Sequence, residues 1–295
     1  MGKRKNDSTD RPLVSVITVV FNNVNLLEKT IRSVINQTYS NIEYIVIDGG
    51  STDGTVELIK KYDDFIDYWV SENDSGIYDA MNKGVRTSSG SIIGIINSDD
   101  CYDENAIQNV VDQFVLDQET GITYGEEYFY FYIFGKIYIR KDPCKNIVEK
   151  DILISNYIGH PTVFIKKSIY LTVGLYDASL KICADWDFFV RAYKNKYKFT
   201  FIPKIISHCL EGGVSSITYR QCKKEIMLLK KRYGTYSLSD LCVYFVSSVK
   251  EIIHRTKFGI FVRNMSKLQK LKSGQYNIIE SDSKNIQKDM LIDAR

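Results

Sequence analysis

The sequence lacks several features that would place it in common protein classes. No apolar run reaches the roughly 18 residues needed to cross a membrane as a helix. The N-terminus, MGKRKNDSTDRP, is charged and has no apolar core of the kind that a signal peptide requires. Only four prolines occur in 295 residues, and neither an internal repeat nor a low-complexity linker is visible. We therefore expect one large domain, or one domain with an appendage, preceded by a disordered segment at residues 1–11.

Cysteine and histidine are too few and too scattered for a zinc site or a disulfide framework. The six cysteines form no C-x-x-C pair, and the three histidines have no ligand spacing. Free cysteines that act as small buried hydrophobes are typical of a reducing compartment, which favours a cytoplasmic protein. The cysteines are Cys101, Cys144, Cys183, Cys209, Cys222 and Cys242.

The positive charge is confined to one part of the chain. The net charge is +3, yet residues 220–272 contain 13 Lys or Arg and only 3 Asp or Glu. We expect a main domain at residues 12–219 and a basic helical C-terminal extension at residues 220–295. Apolar residues recur in the extension at helical spacing, namely Leu238, Leu241, Phe245, Val249, Ile252 and Ile253.

Two interpretations of this extension stay open. Its helix either packs on the main domain or makes a peripheral contact with the anionic inner face of the cell membrane. Nucleic acid is not an expected partner, because the rest of the chain is acidic and carries no nucleic-acid-binding motif.

The first hundred residues alternate between strand-like and helix-like segments. The β-branched runs at 13–21 and 42–48 and the apolar run at 92–96 are typical of buried parallel strands. Segments with helical spacing, 25–37 and 76–90, lie between them. This alternation predicts an α/β fold with a parallel sheet, and ligands bind beyond the carboxyl ends of the strands in such sheets.

After residue 120 the pattern becomes aromatic and rich in strand-forming residues. Residues 121–139 predict antiparallel strands around a glycine-centred bend, and residues 198–209 are strand-like. Between them, residues 184–195 predict a helix that opens with acidic residues. We therefore expect a smaller β region beside the parallel half.

The stretch IIGIINSDD carries adjacent carboxylates at the mouth of a buried strand. Asp99 and Asp100 repel each other, and removing a carboxylate from water is costly unless it is paired or binds a metal. One interpretation is helix capping, in which Ser98 or Asp99 starts a helix at 104–114. The other is a divalent cation site. Because Asp48 ends a second strand at the same edge, the second interpretation is favoured.

These motifs together resemble those of the family 2 glycosyltransferases. The resemblance covers about residues 13–215 and is carried by VSVITVVFNN, DGGSTDGT, SENDSGIYDAMNKG, SGSIIGIINSDD, GHPTVFIKKSIY and ADWDFFVRA. It implies the GT-A fold, with a Rossmann-like nucleotide-binding half and a smaller acceptor-side β region. It also implies inverting transfer of a sugar from a nucleotide-sugar donor. The variants GIYDAMNKG and EGGVSS are most similar to bacterial surface-polysaccharide enzymes of this family.

For the nucleotide of the donor, the resemblance implies roles for the ends of the first two strands. Asp48 would accept a charge-assisted hydrogen bond from the base, typically from uracil N3–H, and a turn residue is the alternative. Val19, Phe21 and Asn22 would pass the nucleobase, with the ring of Phe21 packing on it. Phe21 stands where many members have Tyr, and core packing is the alternative for it.

A second set of donor contacts is implied on one predicted helix. Asp79, Asn82 and Lys83 lie at i, i+3 and i+4 and therefore share a helix face. They would present an acceptor, an amide and a cation to the ribose, the diphosphate or the sugar. A solvated face with an Asp–Lys pair is the alternative.

The segment Asn97-Ser98-Asp99 occupies the D-x-D position of the family. Asn97 stands where many members have Asp, so Asp99 or Asp100 would hold a Mn²⁺ or Mg²⁺ ion that binds the donor diphosphate. Asn97 and Ser98 would then contact the donor.

Asp185 stands where the family carries its general base, with Ala184 in place of the usual glutamate. Asp185 would take the proton of the acceptor hydroxyl, a role worth roughly 10²–10⁴-fold in rate. The alternative is an acid that only stabilises the N-terminus of its helix. Trp186 and His160 are acceptor-side candidates, for which core packing and a structural role are the respective alternatives.

We therefore expect a cytoplasmic enzyme that transfers one sugar from a UDP-sugar to a glycan or lipid-linked glycan acceptor in surface-polysaccharide synthesis. EGGVSS at 211–216 predicts a loop that closes over the diphosphate, and the absence of a Q-x-x-R-W motif favours one transfer per acceptor. A nucleotidyltransferase is disfavoured, because VVFNNVNLL has no glycine- or lysine-rich triphosphate loop. Asn97 and Ala184 keep one alternative open, a non-catalytic nucleotide-sugar-binding or scaffold protein with the same fold.

Overall fold

The computed structural model describes most of the expected main domain. The described residues are 7–8, 11–133, 136–142, 149–156, 158–210, 219–237, 240, 264–265, 267, 269 and 278–279. The predicted closing loop at 211–216 and the apolar positions from Leu238 to Ile253 lie outside them, as does most of the N-terminal segment.

The first half of the chain forms a parallel sheet with intervening helices, as predicted. Its elements are β1 (Val14–Val20), α1 (Val24–Ile35), β2 (Ile42–Asp48), α2 (Thr55–Lys61), β3 (Tyr68–Ser71), α3 (Ile77–Thr87) and β4 (Ile92–Asn97). The strands lie in the order β4-β1-β2-β3, and all three pairs are parallel. Every residue of β1 is buried, which explains its continuous β-branched sequence.

The second half adds antiparallel pairs to the same sheet. Its elements are β5 (Cys101–Tyr102), α4 (Ala106–Leu116), β6 (Thr120–Ile133), β7 (Lys136–Asp142), β8 (Phe164–Lys166), α5 (Lys167–Val173), α6 (Ala184–Lys194), β9 (Lys198–Leu210), α7 (Tyr219–Tyr233) and β10 (Ile278–Ile279). Strand β8 joins this half to β4, and β6 pairs with β7, β8 and β9. The predicted β region beside the parallel half is therefore present.

The helix-capping interpretation of the acid pair is wrong. Helix α4 begins at Ala106, its N-cap residue is Asn105, and no side chain caps it. Strand β5 separates Asp99 and Asp100 from this helix, and it pairs with β9. Neither carboxylate therefore caps this helix.

The core lies on both faces of the sheet. One apolar cluster includes Met81 of α3 and Phe188 and Phe189 of α6. The other includes Leu27 of α1 and Val110 of α4. Burial on two faces accounts for the hydrophobic runs of β1, β2 and β4.

Helix α7 packs on α6 and extends the core. Leu229 is fully buried in the first cluster. At its C-terminal end, Arg232 and Tyr233 donate hydrogen bonds to Asp187 of α6 at 2.9 and 2.6 Å. The start of the basic segment is therefore a helix packed on the domain. Within the described residues, no helix combines the length and the apolar character needed to span a bilayer.

Candidate active site

The strand register brings the predicted donor residues to one edge of the sheet. Strand β1 lies between β2 and β4, with Val20 paired to Asp48 and Val19 paired to Asn97. The carboxyl ends of these strands, where ligands bind in α/β sheets, therefore carry Asp48 and the segment after Asn97 side by side.

Asp48 is fully buried and its carboxylate organises the turn that follows β2. It accepts hydrogen bonds from the backbone N–H of Gly50 at 3.1 Å and of Ser51 at 2.9 Å. The hydroxyls of Ser51 and Ser71 donate to it as well. Three of these donors belong to the turn and the fourth lies at the end of β3. The turn interpretation therefore accounts for most of the bonds of this carboxylate, and a bond to the nucleobase stays a prediction.

The segment after β1 is an exposed platform that is tied to the same turn. Phe21 is 62% exposed, so its alternative as a core residue is wrong. Asn22 adopts a left-handed conformation (φ 49°), and its side-chain oxygen accepts the N–H of Thr52 at 2.9 Å. Its own N–H donates to Ser51 Oγ at 2.7 Å, whereas the preceding Val19 is buried. The aromatic ring is thus held at the mouth of the sheet with its face available.

The acid pair lies at the end of β4, where Asp100 is buried and Asp99 is half-buried. Burial raises the pKa of Asp99, and burial together with the adjacent Asp99 charge raises the pKa of Asp100 well above the ordinary aspartate value. Thr30 Oγ1 donates to the backbone carbonyl of Asp100 at 2.7 Å and holds the segment to α1. Ser98 is buried, and its hydroxyl accepts a bond from Asn23 Nδ2 at 2.9 Å.

The chemistry of this end of β4 fits a divalent cation. Asn97 Nδ2 donates to Asp100 Oδ2 at 3.3 Å, while Asn97 Oδ1 is buried without a hydrogen-bond partner. An orphaned amide oxygen beside two carboxylates is a set of hard oxygen ligands. Among the described residues, no cluster of three or more His, Cys, Asp or Glu side chains is arranged to hold a metal. These residues therefore fit a divalent ion that binds to only one or two protein carboxylates.

The three residues of the predicted donor face of α3 make different contacts in the structure. Asn82 is buried, donates to the carbonyl of Tyr176 at 2.9 Å and accepts the N–H of Tyr176 at 3.0 Å. Its amide thus fastens the loop before α6. Lys83 Nζ lies 3.0 Å from Glu72 Oε1, and Asp79 accepts the N–H of Ser75 at 3.1 Å. Donor contacts by these residues stay predictions.

Asp185 is a buried carboxylate at the start of α6, held by side chains distant in sequence. Asn156 Nδ2 donates to Oδ2 at 3.0 Å, and the N–H of Trp186 donates to Oδ1 at 2.8 Å. Tyr78 Oη lies 3.3 Å from Oδ1 and also donates to a backbone carbonyl at 2.6 Å. Burial raises the pKa of Asp185, and the electrostatic influence of His160 and these hydrogen bonds partly offset the rise. A carboxylate held in place with a raised pKa is suited to act as a general base.

Sequence reasoning missed three residues that position this carboxylate. They are Tyr78, Asn156 and Glu225. The buried carboxylate of Glu225 on α7 accepts the N–H groups of Lys181, Ile182 and Cys183 at 2.8 to 2.9 Å, just before Asp185. No local pattern marks these residues, because each acts across at least 29 residues of chain.

The two acceptor-side candidates differ in their surroundings. Trp186 is 1% exposed and donates from Nε1 to the carbonyl of Ile152 at 2.6 Å, as its core alternative expects. Both ring nitrogens of His160 are buried without a hydrogen-bond partner. Burial lowers the pKa of His160, and the nearby charge of Asp185 raises it. His160 therefore keeps two polar atoms available beside the candidate base.

A chain of contacts runs from the acid pair to the candidate base. The thiol of Cys209 lies between Asp100 and Glu127, with Sγ 3.4 Å from Glu127 Oε2. The Glu127 carboxylate lies against Gly159, where a Cβ would be 2.6 Å from Oε2. His160 follows and is electrostatically linked to Asp185. These contacts connect the end of β4 to the start of α6.

Comparison with known proteins decides the family. The model of glycosyl transferase family 2 matches residues 15–169. A glycosyltransferase of Rickettsia typhi is 32% identical in a match of 261 aligned residues, and the match covers 81% of this chain and 81% of the relative. The chain belongs to glycosyl transferase family 2. The predicted family and the prediction of a transferase enzyme are thereby confirmed.

Other members carry more specific names. A PGL/p-HBAD biosynthesis glycosyltransferase of Mycobacterium tuberculosis is 26% identical over 214 residues, which is 70% of this chain and 80% of the relative.

Solved structures confirm the GT-A fold. Staphylococcus aureus TarS 1–349 in complex with UDP superposes with a TM-score of 0.59 at 17% identity, over 75% of this chain and 64% of that one. Mannosyltransferase PcManGT of Pyrobaculum calidifontis, in complex with GDP-Man and Mn²⁺, superposes with a TM-score of 0.59 at 16% sequence identity. The match covers 91% of this chain and 84% of that one. The chain spans only 39% of the longer TarS chain.

Proposed function

We propose that this chain is an inverting, metal-dependent glycosyltransferase that moves a single sugar from a UDP-sugar to a glycan or lipid-linked glycan acceptor. The observation that carries the proposal is the shared edge of the sheet. There Phe21, Asp99 and Asp100 lie at the ends of neighbouring strands, and the contacts described above lead from them to Asp185. The UDP complexes of TarS and the GDP-Man and Mn²⁺ complex of PcManGT support a nucleotide-sugar donor and a divalent ion.

In this proposal the donor half of the site binds and orients. The ring of Phe21 packs on the nucleobase, and Asp79, Asn82, Lys83, Asn97 and Ser98 are the candidates for further donor contacts. Asp99, Asp100 and Asn97 Oδ1 would hold Mn²⁺ or Mg²⁺, which neutralises charge on the leaving nucleoside diphosphate. A bound cation would offset the cost of holding the buried carboxylate of Asp100 beside the charge of Asp99.

The acceptor half supplies the base. Asp185 accepts the proton of an acceptor hydroxyl as that oxygen attacks the anomeric carbon on the face opposite the leaving group. Asn156 and Tyr78 keep the carboxylate aimed while it is unprotonated. His160, with two unpartnered ring nitrogens beside Asp185, is the candidate to orient the acceptor.

The surface-polysaccharide pathway, the cytoplasmic location and the membrane contact of the basic extension belong to the same proposal. The name of the mycobacterial relative refers to PGL/p-HBAD biosynthesis, which supports a biosynthetic role for the transfer. Residues 220–272, with 13 basic residues, would favour an anionic lipid surface where a lipid-linked acceptor lies.

Turnover tests the proposal directly. The wild-type protein is incubated with Mn²⁺ and a panel of UDP-sugars, with cell-envelope glycolipids as acceptors, and released UDP is measured. We expect release that depends on the acceptor and falls roughly 10²–10⁴-fold in Asp185→Asn, with donor binding retained. Donor binding without any turnover would instead favour the non-catalytic alternative.

A further inference from the structure

Two cysteines meet where helix α7 packs against the segment that precedes the candidate base. Cys183 is the N-cap residue of α6, and Cys222 lies near the start of α7. Their Sγ atoms are 3.9 Å apart, and Cys183 Sγ also lies 3.8 Å from the backbone carbonyl oxygen of Cys222. Neither cysteine is in a disulfide. The fold therefore brings two free thiols into contact across 39 residues of chain.

The two thiols differ in exposure and in acidity. Cys183 is buried, whereas Cys222 is partly exposed and within reach of a small oxidant. The hydrogen bond with Cys183 lowers the pKa of Cys222, burial opposes this effect, and the positive charge of Lys223 adds to the lowering. The same hydrogen bond and burial raise the pKa of Cys183. Because the thiolate is the reactive form, Cys222 is the better nucleophile of the two.

The backbone around Cys183 is tied to the surroundings of Asp185. The N–H of Cys183 donates to the buried carboxylate of Glu225 at 2.9 Å. The carbonyl of Ile182 accepts a hydrogen bond at 2.6 Å from Tyr78 Oη, which also lies 3.3 Å from Asp185 Oδ1. A movement of Cys183 toward α7 would therefore disturb the groups that hold Asp185.

We infer that Cys183 and Cys222 are a redox modification site, at which a peroxide joins the two cysteines in a disulfide that displaces the candidate base Asp185. Oxidation would thus switch the enzyme off, and a dithiol reductant would switch it on again. Where a compartment is reducing, transient disulfides of this kind are the regulatory ones. The effect on turnover rests on the proposed function, whereas formation of the disulfide does not.

The reaction balances with one hydrogen peroxide. The Cys222 thiolate attacks a peroxide oxygen and becomes a sulfenic acid, the O–O bond breaks, and the other oxygen leaves as water after taking up the proton that Cys222 had lost. The Cys183 sulfur then attacks the sulfenic sulfur. The S–S bond forms, the S–O bond breaks, and a second water leaves with the Cys183 proton. The two thiols lose two electrons in total, and the peroxide gains them.

Closing the disulfide requires movement of the segment that carries the base. The sulfurs must approach from 3.9 Å to about 2.05 Å. Cys183 belongs to the first apolar cluster of the core and Cys222 packs against that cluster, so close-packed neighbours limit what side-chain rotation alone can supply. Misplacing a reacting group by about 1 Å can cost roughly 10²-fold in rate. We therefore expect kcat to fall while the donor edge of the sheet keeps its affinity.

The test oxidises the full chain with hydrogen peroxide in the absence of metal and then removes the peroxide with catalase. Mass spectrometry after trypsin digestion should find peptide 182–191 joined to peptide 221–223 by a disulfide. After addition of Mn²⁺, kcat should be lower by at least roughly tenfold, with UDP affinity unchanged. Dithiothreitol should remove the link and restore kcat.

Two variants separate this pair from the other thiols. Cys222→Ser keeps the size of the side chain, so it should retain the kcat of the reduced wild type, form no link and resist peroxide. Cys144→Ser removes a thiol outside the described residues and should respond to peroxide as the wild type does.

Tryptophan emission follows the base segment without turnover. The N–H of Trp186 donates to Asp185 Oδ1 at 2.8 Å, and Trp69→Phe leaves Trp186 as the only tryptophan. In the Trp69→Phe protein, peroxide should change the Trp186 emission reversibly. Adding Cys222→Ser to that protein should abolish the change.

Three results would overturn the inference. They are absence of the linked peptide over the whole peroxide range, equal inactivation of Cys222→Ser, and a linked peptide that leaves kcat or the Trp186 emission unchanged. A reduced wild type without turnover would instead contradict the proposed function. In that case the linked peptide and the Trp186 emission still decide the inference, so the two failures are distinguishable.

Discussion

Asn156 Nδ2 lies 3.0 Å from Asp185 Oδ2, joining an exposed loop residue to a buried carboxylate across 29 residues of chain. Tyr78 reaches the other oxygen, so both oxygens of Asp185 have a donor. Hydrogen bonds of this kind stabilise the ionised form and fix the direction in which it can accept a proton. This contact therefore links the shape of the site to the pH at which it works.

The pH profile of Asn156→Ala tests that link. The Asn156 hydrogen bond lowers the pKa of Asp185, so its removal should raise that pKa further above the ordinary aspartate value. Because a general base must be unprotonated, the acidic limb of kcat/KM should move to higher pH. Tyr78→Phe, which removes one of the two donors at Oδ1 and leaves the N–H of Trp186, should shift it in the same direction. An acidic limb that stays in place in both variants would rule out Asp185 as the base.

Asp100→Asn tests the cost of burying the acid pair. Burial and the Asp99 charge raise the pKa of Asp100, so the folded protein holds this proton more tightly than the unfolded chain does. The stability that this carboxyl contributes is therefore present at low pH and lost as the pH rises through the folded-state pKa. Each unit of pKa difference corresponds to about 1.4 kcal/mol.

We therefore expect metal-free wild type to lose stability relative to Asp100→Asn as the pH increases, and Mn²⁺ to restore it in wild type only. Urea unfolding in a chelator and in Mn²⁺, over a range of pH, measures both effects. Asp112→Asn, an exposed acid on α4, is the matched control and should show neither. A difference between wild type and Asp100→Asn that does not vary with pH would contradict the assignment of a buried, charge-repelled carboxyl.

Asn82→Ala separates a structural role from a donor contact. Asn82 bonds both the N–H and the carbonyl of Tyr176, so truncation leaves two buried backbone groups without partners. We expect a loss of roughly 1–3 kcal/mol or more in unfolding free energy, with UDP affinity nearly unchanged in the folded protein. Asn82→Asp should lose at least as much, because it buries a carboxylate and places an acceptor oxygen against the carbonyl of Tyr176. Unchanged stability combined with a tenfold loss of UDP affinity would instead show that Asn82 contacts the donor, as the resemblance implies.

Much of the fold was readable from local pattern. The β-branched run of β1 and the apolar run of β4 predict buried strands because burial on two faces demands that composition. The exposed position of Phe21 was not readable, since an aromatic residue after a strand suits a core as well as a ligand platform. The hydrogen bonds of Asp48 and Asn82 could not be predicted for a related reason, because their partners depend on tertiary packing.

The residues around Asp185 show the limit of sequence reasoning most clearly. Asp185 itself stands in a recognisable motif, but Tyr78, Asn156 and Glu225 reach it or its loop from three separate elements. A single sequence carries no signal for such contacts. The shared edge of the sheet was predictable, because parallel strands place their carboxyl ends together. The hydrogen-bond partners of each side chain at that edge were not predictable.

The central claim is that the acids after β4 hold a divalent ion that binds the donor diphosphate. Calorimetric titration of UDP and GDP, with and without Mn²⁺, on wild type and on the Asp99→Ala/Asp100→Ala double variant tests it most directly. We predict that UDP binds the wild type only with Mn²⁺ and that the double variant loses this binding. If GDP binds instead of UDP in the same metal-dependent way, the proposed donor nucleotide is wrong and the proposed metal site still holds. Nucleotide binding that is the same with and without Mn²⁺, and the same in the double variant, would contradict the claim.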